Sequence, residues 1–133
     1  MNDLPRIADF MARDPVCCQQ DQAIGDAVTL LLKHKISGLP VVDAGGALVG
    51  VLTAKDCFRA ALDASYYEGW TGLVGDFMTA DPKTLDAELD IVCAAQEFLK
   101  VSYRRFPVKQ DGHLVGMISR TDALRALNDA WRR

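Results

Sequence analysis

Apolar residues recur at helical spacing in two segments of the chain that lie 67 residues apart. In each segment five apolar residues occupy positions i, i+3, i+4, i+7 and i+8, which line one face of an amphipathic helix. These residues are Ile24, Ala27, Val28, Leu31 and Leu32, and then Ile91, Ala94, Ala95, Phe98 and Leu99. Asp90 directly precedes the second segment, where a helix N-cap is expected. The pattern therefore predicts two equivalent helices.

Each predicted helix is followed by two short apolar segments joined by a turn, which is the pattern of a β-hairpin. The arms are predicted at residues 39–42 and 48–52 in the first copy, and at residues 106–109 and 114–118 in the second. A further helix is predicted after each hairpin, at about residues 54–64 and 120–131. Each half of the chain then has the element order β-α-β-β-α.

Short motifs repeat with nearly the same displacement, 67 residues for Asp9-Phe10-Met11 and 66 for Leu48-Val49-Gly50. Asp9-Phe10-Met11 recurs as Asp76-Phe77-Met78, and Leu48-Val49-Gly50 recurs as Leu114-Val115-Gly116. We therefore predict two repeats, at residues 1–66 and 67–133. Because a unit of about 65 residues buries little surface alone, the repeats are expected to pack through their sheets as a pseudo-twofold pair. The predicted fold class is α+β (α/β).

The composition fits one globular module of 133 residues, half of them hydrophobic and a quarter charged. A net charge of -3 gives no field that attracts nucleic acid. No apolar segment approaches the ~18 residues of a membrane span, and no signal peptide is recognised at the N-terminus. The four cysteines contain no C-x-x-C pair, so neither a metal site nor a disulfide framework is indicated. A cytoplasmic location is predicted.

The motif at the end of each hairpin contains candidate ligand-binding residues. It has the form G-h-h-[ST]-x-x-D, with Thr53 and Asp56 in the first copy and Ser119 and Asp122 in the second. The same spacing is a helix capping box that needs no ligand. Alternatively, a hydroxyl, free N–H groups and the positive helix end beside a closely approachable glycine form an anion site. The aspartate is suited to accept hydrogen bonds from a ribose diol, so a nucleotide is the implied ligand.

The order and spacing of these motifs, met twice, resemble a tandem CBS-domain protein, or Bateman module, over about residues 7–127. The resemblance implies two clefts for adenosine-containing ligands such as AMP, ADP, ATP or S-adenosylmethionine, and no catalytic cofactor. It places Asp56 and Asp122 on ribose hydroxyls, Thr53 and Ser119 near phosphate, and the backbone at Leu39 and Phe106 beside adenine. The other nucleotide-binding positions are Arg105, Arg120 and Thr84. Gln22 and Leu89 stand where family members often have Thr or Ser.

The two clefts are expected to be unequal, because Arg105 and Arg120 in the second copy correspond to Gly38 and Ala54 in the first. Guanidinium groups grip phosphate through paired hydrogen bonds, so the second cleft should hold a phosphorylated ligand more tightly. An equally open interpretation is that Arg104, Arg105 and Arg120 form only a solvated charge cluster.

The chain is thus expected to be a stand-alone regulatory module that signals to a partner protein which the sequence does not name. The alternative is a ligand-free interaction or dimerisation module. No acid–base pair, nucleophile or metal set indicates an enzyme. His34 and His113 are expected at the surface, and Cys57 is expected to be buried. A homodimer is predicted from the family habit of pairing and from Tyr66, Tyr67 and Trp70, in the connection at residues 65–72.

Overall fold

The computed structural model describes residues 4–132, which form two four-stranded sheets with helices. The helices are α1 (Ile7–Phe10), α2 (Ile24–His34), α3 (Ala54–Tyr67), α4 (Val74–Phe77), α5 (Ile91–Lys100) and α6 (Arg120–Trp131). The strands are β1 (Ala12–Arg13), β2 (Cys18–Gln19), β3 (Gly38–Val42), β4 (Leu48–Thr53), β5 (Thr79–Ala80), β6 (Leu85–Asp86), β7 (Arg105–Gln110) and β8 (His113–Ser119). The predicted mixed α/β class is confirmed, and so are both hairpins.

The chain divides into two compact units. One is Val16–Pro82, in which the strand order is β2-β3-β4-β5. Strand β2 pairs with β3 in parallel, and the other neighbours are antiparallel. Its core contains fully buried Ile24, Leu39 and Leu52, so most of the predicted apolar face of α2 packs here. Leu32, the last residue of that predicted face, is exposed instead, as is its counterpart Leu99 on α5.

The other unit combines residues 4–15 with residues 83–132, in the strand order β1-β8-β7-β6. Its core contains fully buried Ile91, Phe106 and Ile118, together with Ile7 from the start of the chain. Asp90 is the N-cap of α5 and accepts a hydrogen bond from the N–H of Cys93 at 3.1 Å, which confirms that prediction.

The Asp-Phe-Met motifs form a turn of helix in both copies, an element that the periodicity did not predict. Helix α1 is followed by β1, which pairs with β8, while α4 is followed by β5, which pairs with β4. The compact units therefore group residues 4–15 with the second repeat. Another difference concerns the predicted connection at residues 65–72, because α3 continues to Tyr67.

The two motif glycines are approached closely by protein. A Cβ at Gly50 would lie 2.8 Å from the carbonyl oxygen of Thr79, and one at Gly116 would lie 2.6 Å from that of Ala12. Close approach at these positions was expected to serve a ligand. Instead, the glycines let β5 and β1 pack against their neighbouring strands.

No helix between residues 4 and 132 has both the length and the apolar character needed to cross a membrane.

Candidate functional site

Each G-h-h-[ST]-x-x-D motif lies where a strand passes directly into a helix. Thr53 is the N-cap of α3 with φ −97° and ψ 164°, and Ser119 is the N-cap of α6 with φ −97° and ψ 165°. The hydroxyl of Thr53 accepts a hydrogen bond from the N–H of Asp56 at 3.2 Å, and that of Ser119 accepts one from Asp122 at 3.0 Å. Each aspartate side chain in turn accepts a hydrogen bond from the N-cap N–H, at 2.9 Å in both motifs. Both motifs are therefore complete capping boxes.

The two motifs differ in the direction of one hydroxyl. Thr53 Oγ1 donates to Asp56 Oδ2 at 2.9 Å. The hydroxyl of Ser119 donates to no acceptor within residues 4–132. Each of the four side chains is half-buried, so it remains accessible from solvent.

An arginine pairs with each motif aspartate, and neither pairing was predicted from the sequence. Arg59 Nη2 lies 3.4 Å from Asp56 Oδ1, and Arg125 Nη2 lies 2.8 Å from Asp122 Oδ1. Arg59 also donates to the carbonyl oxygen of Phe77 at 2.7 Å, with its guanidinium carbon 6.0 Å from the centre of that ring. The signal was available, because Asp-x-x-Arg places opposite charges on neighbouring turns of one helix face.

Strand register brings Arg105 to the second motif. Arg105 is the antiparallel partner of Ser119, and Gly38 is the partner of Thr53. Arg105 is half-buried, and its Nε is buried without a hydrogen-bond partner among the described residues. Arg120 is exposed, and its Nε donates to the carbonyl oxygen of Tyr103 at 2.9 Å.

The residues expected to flank adenine belong to the core. Leu39 and Phe106 are fully buried as whole residues, so neither side chain nor backbone is exposed at these two positions. The ring of Phe106 packs 4.7 Å from that of Phe98 and 5.1 Å from that of Tyr103, between ring centres. Thr84 is half-buried and directly precedes β6, which pairs with β7.

The cysteines and histidines occupy ordinary structural positions. Burial raises the pKa of the Cys57 thiol to about 11 and that of Cys18 to about 12. Both thiols are therefore protonated at neutral pH and are weak nucleophiles. Cys57 is buried, and His34 and His113 are exposed, as predicted.

The model of one protein family, the CBS domain, matches the chain twice, at residues 7–63 and 74–129. The chain belongs to the CBS domain family. Both matches contain a strand–helix turn with its capping box, and together they span most of the chain. The predicted identity as a tandem CBS protein is confirmed.

Solved structures of CBS pairs have the same fold. The structure of CBSX2 in complex with AMP is 30 % identical, with a TM-score of 0.83, and covers 96 % of this chain and 99 % of that chain. CBSX2 is a CBS-pair protein from Arabidopsis thaliana. The CBS domain pair of MJ0100 in complex with 5-methylthioadenosine and S-adenosylmethionine is 25 % identical, with a TM-score of 0.79, over 92 % of this chain and 98 % of that chain.

Curated relatives include longer proteins. The inosine-5'-monophosphate dehydrogenase of Korarchaeum cryptofilum is 31 % identical over 88 % of this chain, which corresponds to only 23 % of the enzyme. The chain spans 44 % of the uncharacterised protein MJ1225 of Methanocaldococcus jannaschii and 63 % of the chloroplastic CBSX1 of Arabidopsis thaliana.

Proposed function

We propose that this CBS pair is a regulatory module that binds an adenosine-containing ligand, AMP, ADP, ATP or S-adenosylmethionine, and signals its presence to a partner protein. The observation that carries the proposal is the second motif. There a half-buried hydroxyl and a half-buried carboxylate at the start of α6 lie beside Arg105, whose Nε has no partner among the described residues. This is a donor and acceptor set for phosphate and ribose.

The relatives support the same ligand class. CBSX2 was crystallised with AMP, and the MJ0100 pair with two adenosine derivatives that carry no phosphate. Adenosine is the group common to these ligands. In this chain, the resemblance gives two candidate sites, with Asp56 or Asp122 for the ribose and Thr53 or Ser119 for phosphate. Arg105, Arg120 and Thr84 complete the proposed set, while a contact with the backbone of Leu39 or Phe106 would require these fully buried residues to become accessible.

The proposal is tested by replacing Asp122 with alanine. Loss of a charged acceptor for ribose hydroxyls should weaken AMP binding by about 1–3 kcal/mol in titration calorimetry. Glu88→Ala is a control, because Glu88 is an exposed carboxylate that pairs with Arg6 and lies outside the proposed set. If Asp122→Ala lowers the melting temperature but leaves the AMP affinity unchanged, Asp122 is a helix cap only.

We also propose that the module is not an enzyme, so ATP, ADP and S-adenosylmethionine should each be recovered unchanged after incubation with it. The regulated partner, a stand-alone chain and a cytoplasmic location stay predictions.

The exposed apolar side chains of α3 are the observation that supports the alternative function, a ligand-free interaction module. The same surface supports our proposal of a homodimer.

A further inference from the structure

The hydrogen bonds received by the two motif aspartates are unequal. Each carboxylate oxygen can accept about two hydrogen bonds. Within residues 4–132, Asp56 Oδ2 receives two, from the N–H and the hydroxyl of Thr53, both at 2.9 Å. Asp122 Oδ2 receives one, from the N–H of Ser119 at 2.9 Å. The Oδ1 atom of each aspartate receives one bond from its arginine.

This difference matters for a ribose diol, whose two hydroxyls must both donate. Asp122 can accept one hydroxyl on each oxygen while its helix cap and its bond from Arg125 stay intact. Asp56 can do the same only after Thr53 turns its hydroxyl away from Oδ2. A hydrogen bond to a charged group would then be lost, which corresponds to about a ten- to hundredfold loss of affinity.

The groups expected to face a phosphate also favour the second motif over the first. The proton of the Ser119 hydroxyl has no acceptor in the described part of the chain, so it is available to a phosphate oxygen, whereas that of Thr53 is held by Asp56. Arg105 pairs in register with Ser119, while the residue opposite Thr53 is Gly38. A Cβ at Gly38 would make only an ordinary contact, 3.5 Å from the carbonyl oxygen of Leu52. A side chain would therefore fit at this position, so packing does not explain why no cationic residue lies opposite Thr53.

A third pair of equivalent positions in the two repeats also favours ligand binding at the second motif. Thr84 directly precedes β6, and Cys17, 67 residues earlier, directly precedes β2. Both positions are half-buried. The second motif therefore has a hydroxyl where the first has a thiol, which is a weaker hydrogen-bond donor. Burial raises the pKa of Cys17, so that thiol stays neutral.

We propose that each chain binds one adenosine ligand, at the Ser119–Asp122 motif, and that the Thr53–Asp56 motif serves only as a helix cap. This inference rests on the proposed function and adds the number and the place of the bound ligands. It also gives the two copies of one sequence motif different roles, which are decided by a single hydroxyl proton and by the residue opposite it.

The two motifs are matched controls for each other. AMP titrations of the unmodified chain should give one ligand per chain. Ser119→Ala and Asp122→Asn should weaken AMP binding at least tenfold, whereas Thr53→Ala and Asp56→Asn should change it less than about twofold. Thr53→Ala and Ser119→Ala each remove the hydroxyl acceptor of a capping box, so both should lower the melting temperature, and Thr53→Ala should lower it more because it also loses the bond to Asp56. Asp56→Asn and Asp122→Asn keep a side-chain oxygen that accepts the N-cap N–H bond, so their melting temperatures should change less.

Two results would overturn this inference. One is the binding of two AMP molecules per unmodified chain with similar affinities, a measurement that needs no variant to fold. The other is a Thr53→Ala variant that loses as much AMP affinity as Ser119→Ala. Failure of the proposed function looks different, because the unmodified chain would then bind none of AMP, ADP, ATP and S-adenosylmethionine.

Discussion

At the scale of single residues, Glu97 on α5 lies between two lysines. Its carboxylate pairs with Lys83, and its Oε2 lies 3.0 Å from the ammonium of Lys100. The hydrogen bond from Lys83, followed by that from Lys100, holds the pKa of Glu97 below its ordinary value of 4.5. A carboxylate with a lowered pKa stabilises the fold above its unfolded-state pKa, and this contribution is lost as the pH falls through the folded-state pKa.

We therefore expect Glu97→Gln to lower the free energy of unfolding at pH 7. The difference from the unmodified chain should shrink below pH 4.5 and vanish once Glu97 is protonated in the folded state as well. Urea unfolding between pH 7 and pH 3 measures it. Glu88→Gln is the control and should have a smaller effect, because the side chain of Glu88 is 53 % exposed and that of Glu97 only 18 %. A difference that stays constant with pH would show that Glu97 acts through packing.

The capping boxes could be predicted residue by residue, because they depend on local spacing along the chain. Thr53 and Ser119 are both N-caps, and each accepts the predicted backbone hydrogen bond. The hydroxyl bond that Thr53 makes and Ser119 does not could not be predicted. It depends on the orientation of the two side chains, which the shared sequence pattern does not determine.

At the scale of elements, residues 4–15 belong to the unit of the second repeat, and β1 pairs within its sheet. The N–H of Ile7 donates to the carbonyl oxygen of Leu89 at 2.9 Å, and the N–H of Ile91 donates to that of Pro5 at 2.9 Å. The unit Val16–Pro82 has an equivalent bond, in which the N–H of Ile24 donates to the carbonyl oxygen of Gly72 at 3.1 Å. Segments that precede the main helices are therefore part of the core structure of these units.

The Gly116→Ala substitution tests the role of β1. A methyl group there would lie 2.6 Å from the carbonyl oxygen of Ala12 and 2.7 Å from Met11 Sδ, so β1 must move away from β8. We expect a loss of about 1–3 kcal/mol in urea unfolding. Gly45→Ala is the control, because its Cβ would make an ordinary 3.5 Å contact with Asp43. Equal stabilities of the two variants would contradict the described packing of β1.

Helices and hairpins could be predicted because their apolar periodicity extends over several residues. Strands β1, β2, β5 and β6 have two residues each, which is too short for an alternating pattern to be recognised. Their pairing depends on residues far along the chain, as with Ala12 and Met117. The local sequence pattern therefore could not predict that residues 4–15 group with the second repeat.

At the scale of the whole molecule, the outer face of α3 supports self-association. Phe58, Leu62 and Tyr66 recur every four residues and are 68 %, 73 % and 80 % exposed. Such an apolar stripe is typical of an interface, and a twofold pair could place Leu62 at its centre. Trp70 is 47 % exposed and packs on Gly25, so the predicted aromatic cluster only partly faces solvent.

Light scattering at tens of micromolar protein should therefore show a dimer. Leu62→Glu should convert it to a monomer, because a charge would be buried in the apolar interface. Ala44→Glu adds the same charge to the exposed turn of the first hairpin and should leave the dimer intact. A monomeric unmodified chain would refute the homodimer, and a dimeric Leu62→Glu variant would place the interface elsewhere.

Thermal unfolding with and without AMP tests most directly the central claim that this CBS pair binds an adenosine-containing ligand. A ligand that binds only the folded state adds about 2.7 kcal/mol of stability at a hundredfold excess over Kd. For a domain of this size, that corresponds to a rise in Tm of several degrees. We predict such a rise with millimolar AMP. An unchanged Tm with AMP, ADP, ATP and S-adenosylmethionine alike would contradict the account.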